Sequence, residues 1–133
     1  MTELHIRQLS PEAQDQIISG VTYAEQHGLL ADISCIDQEF ARLRSLGEIP
    51  TPQMRLNLGA ALGYIIQQHT NMQWASVTDG TTSVVVLVGS LGEQQVIIYP
   101  FDVVERRWNN PEPNVFANYY DDVIATLHTT REN

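Results

Sequence analysis

The sequence contains no lysine, and its cations are seven arginines against sixteen acidic residues in a chain of 133. The formal net charge is −9 and the isoelectric point is about 4.6. Nucleic acids and anionic membranes are bound through surface cations, which this chain has in short supply. We therefore expect neither nucleic acid nor a membrane as a partner.

Cysteine and long apolar runs are nearly absent as well. The single cysteine, Cys35, cannot form a disulfide within the chain, which favours a reducing compartment. No apolar run reaches the roughly 20 residues that a membrane-spanning helix needs. The N-terminal stretch reads MTELHIRQLSPEAQ and lacks the basic and apolar segments of a secretory signal. The sequence thus predicts a cytoplasmic protein.

Residues suited to catalysis or metal binding are few and scattered. The histidines have no metal-ligand spacing such as H-x-x-x-H, and no G-x-S-x-G nucleophile elbow occurs. Asp121 and Asp122 are adjacent, and neighbours on a helix point about 100° apart, so they are not expected to share a proton. Cys35 lies among isoleucines and is expected to be a buried, inert thiol. We expect no enzyme activity, no cofactor and no metal. The four histidines are His5, His27, His69 and His128.

The first part of the chain predicts two amphipathic helices. Ser10 can cap the first helix, a proline follows it, and the helix is expected to end at His27 with Gly28 behind it. A second helix is expected over residues 34–46, capped by Asp32 or Ser34 and stopped by a glycine. An imidazolium complements the negative end of a helix dipole, so a structural role is expected for His27 and His69.

A third helix is predicted to open at Thr51 and to lie at the centre of the domain. Its segment LNLGAALGYIIQQH is apolar over most of its circumference, apart from a narrow polar strip, and places Gly59 and Gly63 on one face. Each glycine costs a helix about 1 kcal/mol relative to alanine, so we infer that a neighbouring element packs closely there. The segment lacks the G-x-G-x-x-G and G-K-[ST] patterns of nucleotide-binding loops and is too short for a membrane helix dimer. The polar strip comprises Gln53, Asn57, Tyr64 and Gln68.

Beyond the third helix the periodicity becomes that of strands. Residues 72–78 alternate, Asp79-Gly80 is a strong hairpin signal, and the VVVLV segment predicts a central strand covered on both faces. A turn is expected over residues 89–92, and a third strand ends at Pro100. These three strands predict an antiparallel meander.

Two further helices complete the predicted α+β fold. Asp102 is expected to cap a short helix and Asn114 a C-terminal helix. The fold class is therefore α+β, with about three N-terminal helices, a three-stranded antiparallel meander, a short helix and a C-terminal helix, the helices packed on one sheet face. We expect one domain over residues 1–133, with residues 1–9 and 129–133 frayed.

Three stretches form a pattern that is typical of one family: IDQEFARLRSLGEIP, LGAALGYIIQQHTNMQWASV and VIIYPFDVVERRW. In that pattern an L-G-x-x-L-G helix precedes a tryptophan strand, and a later strand ends in proline before a basic pair. Over residues 36–108 the chain resembles a family of small uncharacterised bacterial proteins, a domain of unknown function. Tyr64 departs from the pattern, which often has an acidic residue there. The resemblance implies the fold and brings no activity. The matching positions are Gly59, Gly63, Trp74, Pro100, Arg106 and Arg107.

Arg106, Arg107 and Trp108 are one candidate binding site. Two guanidinium groups beside an indole could hold a carboxylate or phosphate, or anchor an interface. Alternatively, the arginines pair with the protein's own carboxylates and the tryptophan packs beneath the following loop. Trp74 is expected to pack in the core against the third helix near Gly63.

The leading hypothesis is a small, acidic, non-enzymatic protein-binding module. Between residues 11 and 40 the acids Glu12, Asp15, Glu25, Asp32, Asp37 and Glu39 occur without an arginine, and such an acidic face attracts a basic partner. Glu12, Asp15 and Glu25 of the first helix are the candidate partner-binding residues. Alternatively, the acids form a well-solvated surface. One concrete form of the binding module is an immunity or inhibitor protein that neutralises a basic toxin domain. The alternative is a module that binds or senses a small anionic molecule, and a homodimer is left open.

Overall fold

Five helices and four strands make up the part of the chain that the computed structural model describes, residues 5–47, 51–78, 82–91, 94–109 and 112–129. Helices and strands are segregated along the chain, apart from one short strand at the start, which confirms the predicted α+β class. In chain order the elements are β1 (His5–Arg7), α1 (Pro11–Gln26), α2 (Ile33–Ser45), α3 (Pro52–Gln68), β2 (Gln73–Thr78), β3 (Ser83–Leu91), β4 (Gln94–Ile98), α4 (Pro100–Arg106) and α5 (Val115–Thr129).

The starts of α1 and α3 and the ends of α1 and α2 follow the predicted capping residues, whereas Asp32 stands at the N-cap of α2 without a side-chain capping bond. Ser10 Oγ and Thr51 Oγ1 each accept a hydrogen bond of 3.1 Å from the backbone amide three residues later. Gly28 and Gly47 follow α1 and α2 with φ angles of 70° and 73°, which glycine adopts without steric cost. The bounds of α1, α2 and α3 therefore agree with the sequence prediction to within one residue.

The sheet has four strands, not the predicted three. Its order is β1-β2-β3-β4, and every neighbouring pair is antiparallel. The additional strand, β1, lies in the segment that was expected to be frayed, and its His5 and Arg7 pair with Thr78 and Ser76. A strand of three residues is too short to show an alternating pattern in the sequence.

Two connections differ from their predictions. Residues 89–91 were assigned to a turn, but β3 continues through them and pairs with residues 94–96 of β4. The chain resumes as α4 at Pro100, which occupies the first helical position, so this helix starts earlier than a cap at Asp102 would give. The predicted hairpin turn at Asp79-Gly80 lies outside the described residues.

The centre of the molecule is α3, as predicted. Leu58, Leu62 and Ile66 of this helix are at most 1% exposed. Residues of all four other helices pack around it in the hydrophobic core. One residue of the predicted polar strip departs from expectation, because Asn57 is 7% exposed and accepts a hydrogen bond of 2.9 Å from Gln53 Nε2. A buried amide keeps such a partner because losing it would cost free energy.

The glycines of α3 lie against aromatic rings, so the expected close packing is observed. A Cβ atom at Gly63 would overlap the ring of Trp74, and one at Gly59 would overlap the ring of Phe101. The two rings are themselves stacked, with centroids 5.8 Å apart and planes 27° apart. On another side of α3, a Cβ atom at Gly20 of α1 would come within 2.9 Å of the Leu56 carbonyl oxygen.

The central strand β3 is covered on both faces where the VVVLV segment predicted it. Val86 and Leu87 are consecutive, so their side chains point to opposite faces of the sheet, and both are 0% exposed. Leu87 joins the core formed with the helices. Helices packed on one sheet face, as predicted, explain the burial of Leu87. They do not explain the burial of Val86, which points to the opposite face.

A carboxylate on α2 caps α5, an arrangement that the sequence did not reveal. Asp37 accepts hydrogen bonds from the backbone amides of Phe116 (2.8 Å) and Ala117 (3.0 Å), in the first turn of α5. Asp37 is 5% exposed, and burial raises the pKa of its carboxyl, while the two amide bonds oppose that rise. The sequence predicted Asn114 as the cap of α5. Asp37 could not be predicted, because it lies 79 residues before Phe116 and no local pattern links the two.

Replacing Gly63 by alanine should destabilise the protein through its contact with Trp74. The added methyl group displaces the indole, which we expect to lower the free energy of unfolding by about 1–3 kcal/mol. This loss exceeds the gain of ~1 kcal/mol from the higher helix propensity of alanine. Urea unfolding followed by circular dichroism measures the difference. Trp74→Leu supplies the control: in that background Gly63→Ala should be nearly neutral, and an undiminished loss would contradict the contact.

Asp37→Asn should destabilise the protein by about 1–3 kcal/mol, because the amide nitrogen of asparagine faces a backbone N–H and leaves one buried donor unpaired. Urea unfolding at neutral pH measures the loss. Asp121→Asn is the matched control, since Asp121 is exposed on α5 itself and its substitution should change stability by less than about 0.5 kcal/mol. Equal effects of the two substitutions would show that Asp37 does not cap α5.

Candidate functional site

The outer face of α1 carries acidic side chains without matching cations. Glu12, Asp15 and Glu25 are exposed, and within the described residues none of them forms an ion pair. The sequence from residue 8 to residue 41 contains no arginine or lysine. The three carboxylates therefore stand on one helix with no neighbouring positive charge from that segment.

An exposed isoleucine lies among these carboxylates. Ile18 is 62% exposed, the highest value among the exposed large hydrophobic residues. At about 100° per residue, it points within roughly 20° of Glu25 and 60° of Asp15, on the side of α1 opposite its buried residues. Sequence reasoning missed this side chain because Ile17, beside it, accounts for the buried face. We name Glu12, Asp15, Ile18 and Glu25 the acidic α1 surface.

Two contacts hold α1 in a fixed position beside α2 and α3. Gly20 lets α1 approach the α3 backbone closely. Tyr23 of α1 donates a hydrogen bond of 3.0 Å to Glu39 of α2, whose other oxygen accepts one of 2.6 Å from Arg42 Nε. The bond from Arg42, together with that from Tyr23, lowers the pKa of Glu39, which is 8% exposed. Burial and the neighbouring Glu39 raise the pKa of Tyr23.

The prediction of one acidic face over residues 11–40 is wrong for Asp37, which is 5% exposed, and for Glu39, which is 8% exposed. The spacing of three between Glu39 and Arg42 is a usable signal for an ion pair on one helix, but nothing local indicates that Tyr23 completes the group. The buried Glu39 thus serves the packing of α1 on α2, whereas the acids of the α1 surface face solvent.

The histidines at the helix ends occupy the predicted positions. His27 and His69 are the C-cap residues of α1 and α3. His27 stacks on Tyr23, with ring centroids 3.9 Å apart, and its Nδ1 lies 2.9 Å from the Tyr23 carbonyl oxygen. His69 packs edge-on against Tyr120 at 5.8 Å. Both rings therefore have structural partners.

The Arg106-Arg107-Trp108 segment is spread over three different environments. Trp108 is 6% exposed and packs edge-to-face on Phe40, with centroids 5.2 Å apart. Arg107 lies over the ring of Tyr119 at 5.3 Å, while Arg106 binds the Asp102 carboxylate through Nε at 2.6 Å. Burial leaves the indole no open face for a ligand, so the three side chains do not form one site. The pairing of Arg106 with Asp102 agrees with the alternative that the arginines pair with the protein's own carboxylates.

The remaining candidates give no reactive centre. Cys35 is half-buried, not buried as expected, and packs at the margin of the hydrophobic core. Asp121 and Asp122 are exposed on α5. Within the described ranges no three His, Cys, Asp or Glu side chains are grouped to hold a metal ion, and none of the helices there is long and apolar enough to cross a membrane.

His69 shares a small depression of about 130 Å³ with one carboxylate, that of Asp32. Asp32 accepts a hydrogen bond of 2.5 Å from Ser34, and that bond lowers the pKa of Asp32. No ion pair links Asp32 to His69 in the part of the chain that the structure describes. The depression therefore lacks a coupled acid–base pair.

A larger groove of about 540 Å³ lies between α1, α3, α4 and the first residues of β3. Its walls include the apolar side chains of Ile17, Leu56 and Phe101. Arg55 and Glu105 stand on it and form an ion pair of 3.1 Å. We name this the β3 groove. Sequence reasoning missed it because its lining comes from four elements that only the tertiary structure assembles.

Comparison with known proteins identifies a family but no characterised relative. No curated protein and no solved structure matches the chain. Residues 44–119 match the family model described as Domain of unknown function (DUF3806), which confirms the prediction of a domain-of-unknown-function family. The matched residues include α3, β2, β3, β4 and α4, whereas the acidic α1 surface precedes them. Because the match covers more than half of the chain, the chain belongs to the family of Domain of unknown function (DUF3806).

Proposed function

We propose that this protein is a non-enzymatic binding module that recognises a basic partner protein through the acidic α1 surface. The observation that carries this proposal is the combination of two exposed carboxylates, Asp15 and Glu25, with Ile18, which is 62% exposed beside them. The third carboxylate, Glu12, points about 120° around the helix from Ile18. Charged rims steer a partner and select its sign, and an apolar centre contributes affinity when it is buried on binding. Both elements are present on one face of α1.

The rigidity of α1 supports this function. Its contact with α3 at Gly20 and the Tyr23–Glu39 hydrogen bond hold the helix in place before a partner arrives. A surface that is ordered beforehand loses little conformational entropy on binding, so more of the contact energy appears as affinity. The net charge of −9 extends the attraction beyond the contact itself and accelerates encounter with a basic protein.

An immunity or inhibitor protein that neutralises a basic toxin domain is the concrete form that we favour. Such a protein needs speed and selectivity for one partner, which charge complementarity supplies. The alternative, a module for a small anionic ligand at Arg106 and Arg107, has less support, because Trp108 is buried and Arg107 lies over the ring of Tyr119, so the three side chains do not converge on one ligand.

Neutralising the acidic α1 surface should weaken binding of the partner. The tagged wild type is used to isolate co-purifying protein from the source cell, and binding of the purified partner is then measured by surface plasmon resonance at low and high salt. With Asp15→Asn/Glu25→Gln we expect the association rate constant to fall by roughly tenfold at low salt and to depend less on salt, since fewer charges steer the encounter.

The matched control is Asp121→Asn/Asp122→Asn, which removes the same number of exposed carboxylates from α5. This control should bind within about twofold of the wild type at either salt concentration. Equal losses in the two double variants would mean that net charge alone matters. No loss in the α1 variant, or no partner captured by the wild type, would refute the proposal.

A further inference from the structure

Half of β3 has one edge that no described strand pairs with, which we call its open edge. The strand β2 pairs with residues 83–88 of β3, but β4 on the other side pairs only with residues 87–91. After β4 the chain leaves the sheet at Tyr99 and enters α4. Among the described residues, no strand and no loop backbone bonds to residues 83–86 on the side away from β2.

No charged residue and no proline protects this edge against pairing with another chain. Natural edge strands carry charges, prolines or bulges, because unpaired N–H and C=O groups are a template for an added strand. Here residues 83–86 read SVVV, with no charge and no proline. Val84 is 41% exposed. In a strand of four residues, two direct their backbone groups towards the open side.

The open edge borders the β3 groove. Ser83, Val84 and Val85 line it together with Leu56 and Phe101. Its volume of about 540 Å³ is within the range of sites that hold several side chains or a small ligand. A strand added at this edge would therefore find space for its side chains beside its backbone partners.

The charges at the groove favour a basic occupant. Asp102 and Glu105 lie on its α4 side with side chains 41% and 58% exposed. Among the described residues of the lining the cation is Arg55, which pairs with Glu105, so the carboxylate of Asp102 leaves the lining with one net negative charge. Arg106 binds Asp102 from outside the lining, but it is 75% exposed and can exchange its partner at little cost.

We propose that the open half of β3 binds an extended peptide segment of a partner protein as an added strand. One apolar side chain of the peptide enters the β3 groove between Leu56 and Phe101, and a basic side chain approaches Asp102. Main-chain hydrogen bonds give the affinity, and the groove selects the sequence, as in other cases of strand addition. This site is separate from the acidic α1 surface, and each can fail without the other.

A random octapeptide library displayed on phage is selected against the whole protein, and enriched sequences are synthesised for fluorescence polarisation. We expect peptides that alternate apolar residues with arginine or lysine. Methylating alternate backbone amides of an enriched peptide should weaken its binding by about tenfold or more, because the amides on one edge can no longer donate. This arm leaves the protein unchanged, so it does not depend on the folding of a variant.

Val84→Lys should also weaken the peptide by about tenfold, because it places a like charge at the edge. Leu46→Lys is the matched control, since Leu46 is 57% exposed outside the groove and the same charge is added. Its effect should stay below about twofold. Ile18→Lys should likewise leave the peptide's affinity unchanged, which separates this site from the acidic α1 surface.

Three results would overturn the proposal. The first is that selection enriches no peptide, or only peptides that bind Val84→Lys as well as they bind the wild type. The second is that the amide-methylated peptide binds as tightly as its parent. The third is a concentration-dependent dimer that Val84→Lys dissociates, measured by light scattering, because a second copy of the chain would then occupy the edge.

Discussion

The contact between α3 and two aromatic rings is the constraint on which the rest of this structure depends. Gly63 and Gly59 leave room for the indole of Trp74 and the ring of Phe101, and the stacked rings join β2 to α4 across the surface of the helix. Without side chains at these positions, the sheet and α4 can both approach one central helix. The position of α4 in turn forms one wall of the β3 groove.

Two buried carboxylates of this acidic protein stabilise the fold, so they differ in role from the exposed acids that are available for binding. Asp37 holds the first turn of α5, and Glu39 joins α1 to α2 through Tyr23 and Arg42. Buried carboxylates are tolerated only when hydrogen bonds compensate their lost hydration, and both have such partners. The acids of the α1 surface remain hydrated, so their charge can act on a partner at a distance.

The two proposed binding surfaces differ in their relation to the family. Strand β3 and helices α3 and α4, which form most of the β3 groove, lie within the matched residues 44–119. The acidic α1 surface lies before them. A peptide site at β3 is thus built on the part that defines the family, whereas recognition by α1 is built on a segment outside the match.

The sequence by itself determined most of the local structure. Capping residues such as Ser10 and Thr51 located the helix starts, glycines such as Gly28 located the ends, and the periodicity located the central helix and the strands of the meander. These features were readable because a few neighbouring residues decide them. The exposed acids of α1 followed from the same helical periodicity.

Only the tertiary structure decided which distant residues meet. The pairing of β1, the cap that Asp37 places on α5, the burial of Trp108 and the open edge of β3 all join segments far apart in the chain. Arg106, Arg107 and Trp108 are neighbours in sequence, yet they contact different partners because α4 ends among them. The physical reason is that burial and pairing depend on how whole elements pack, and no local pattern of side chains encodes that packing.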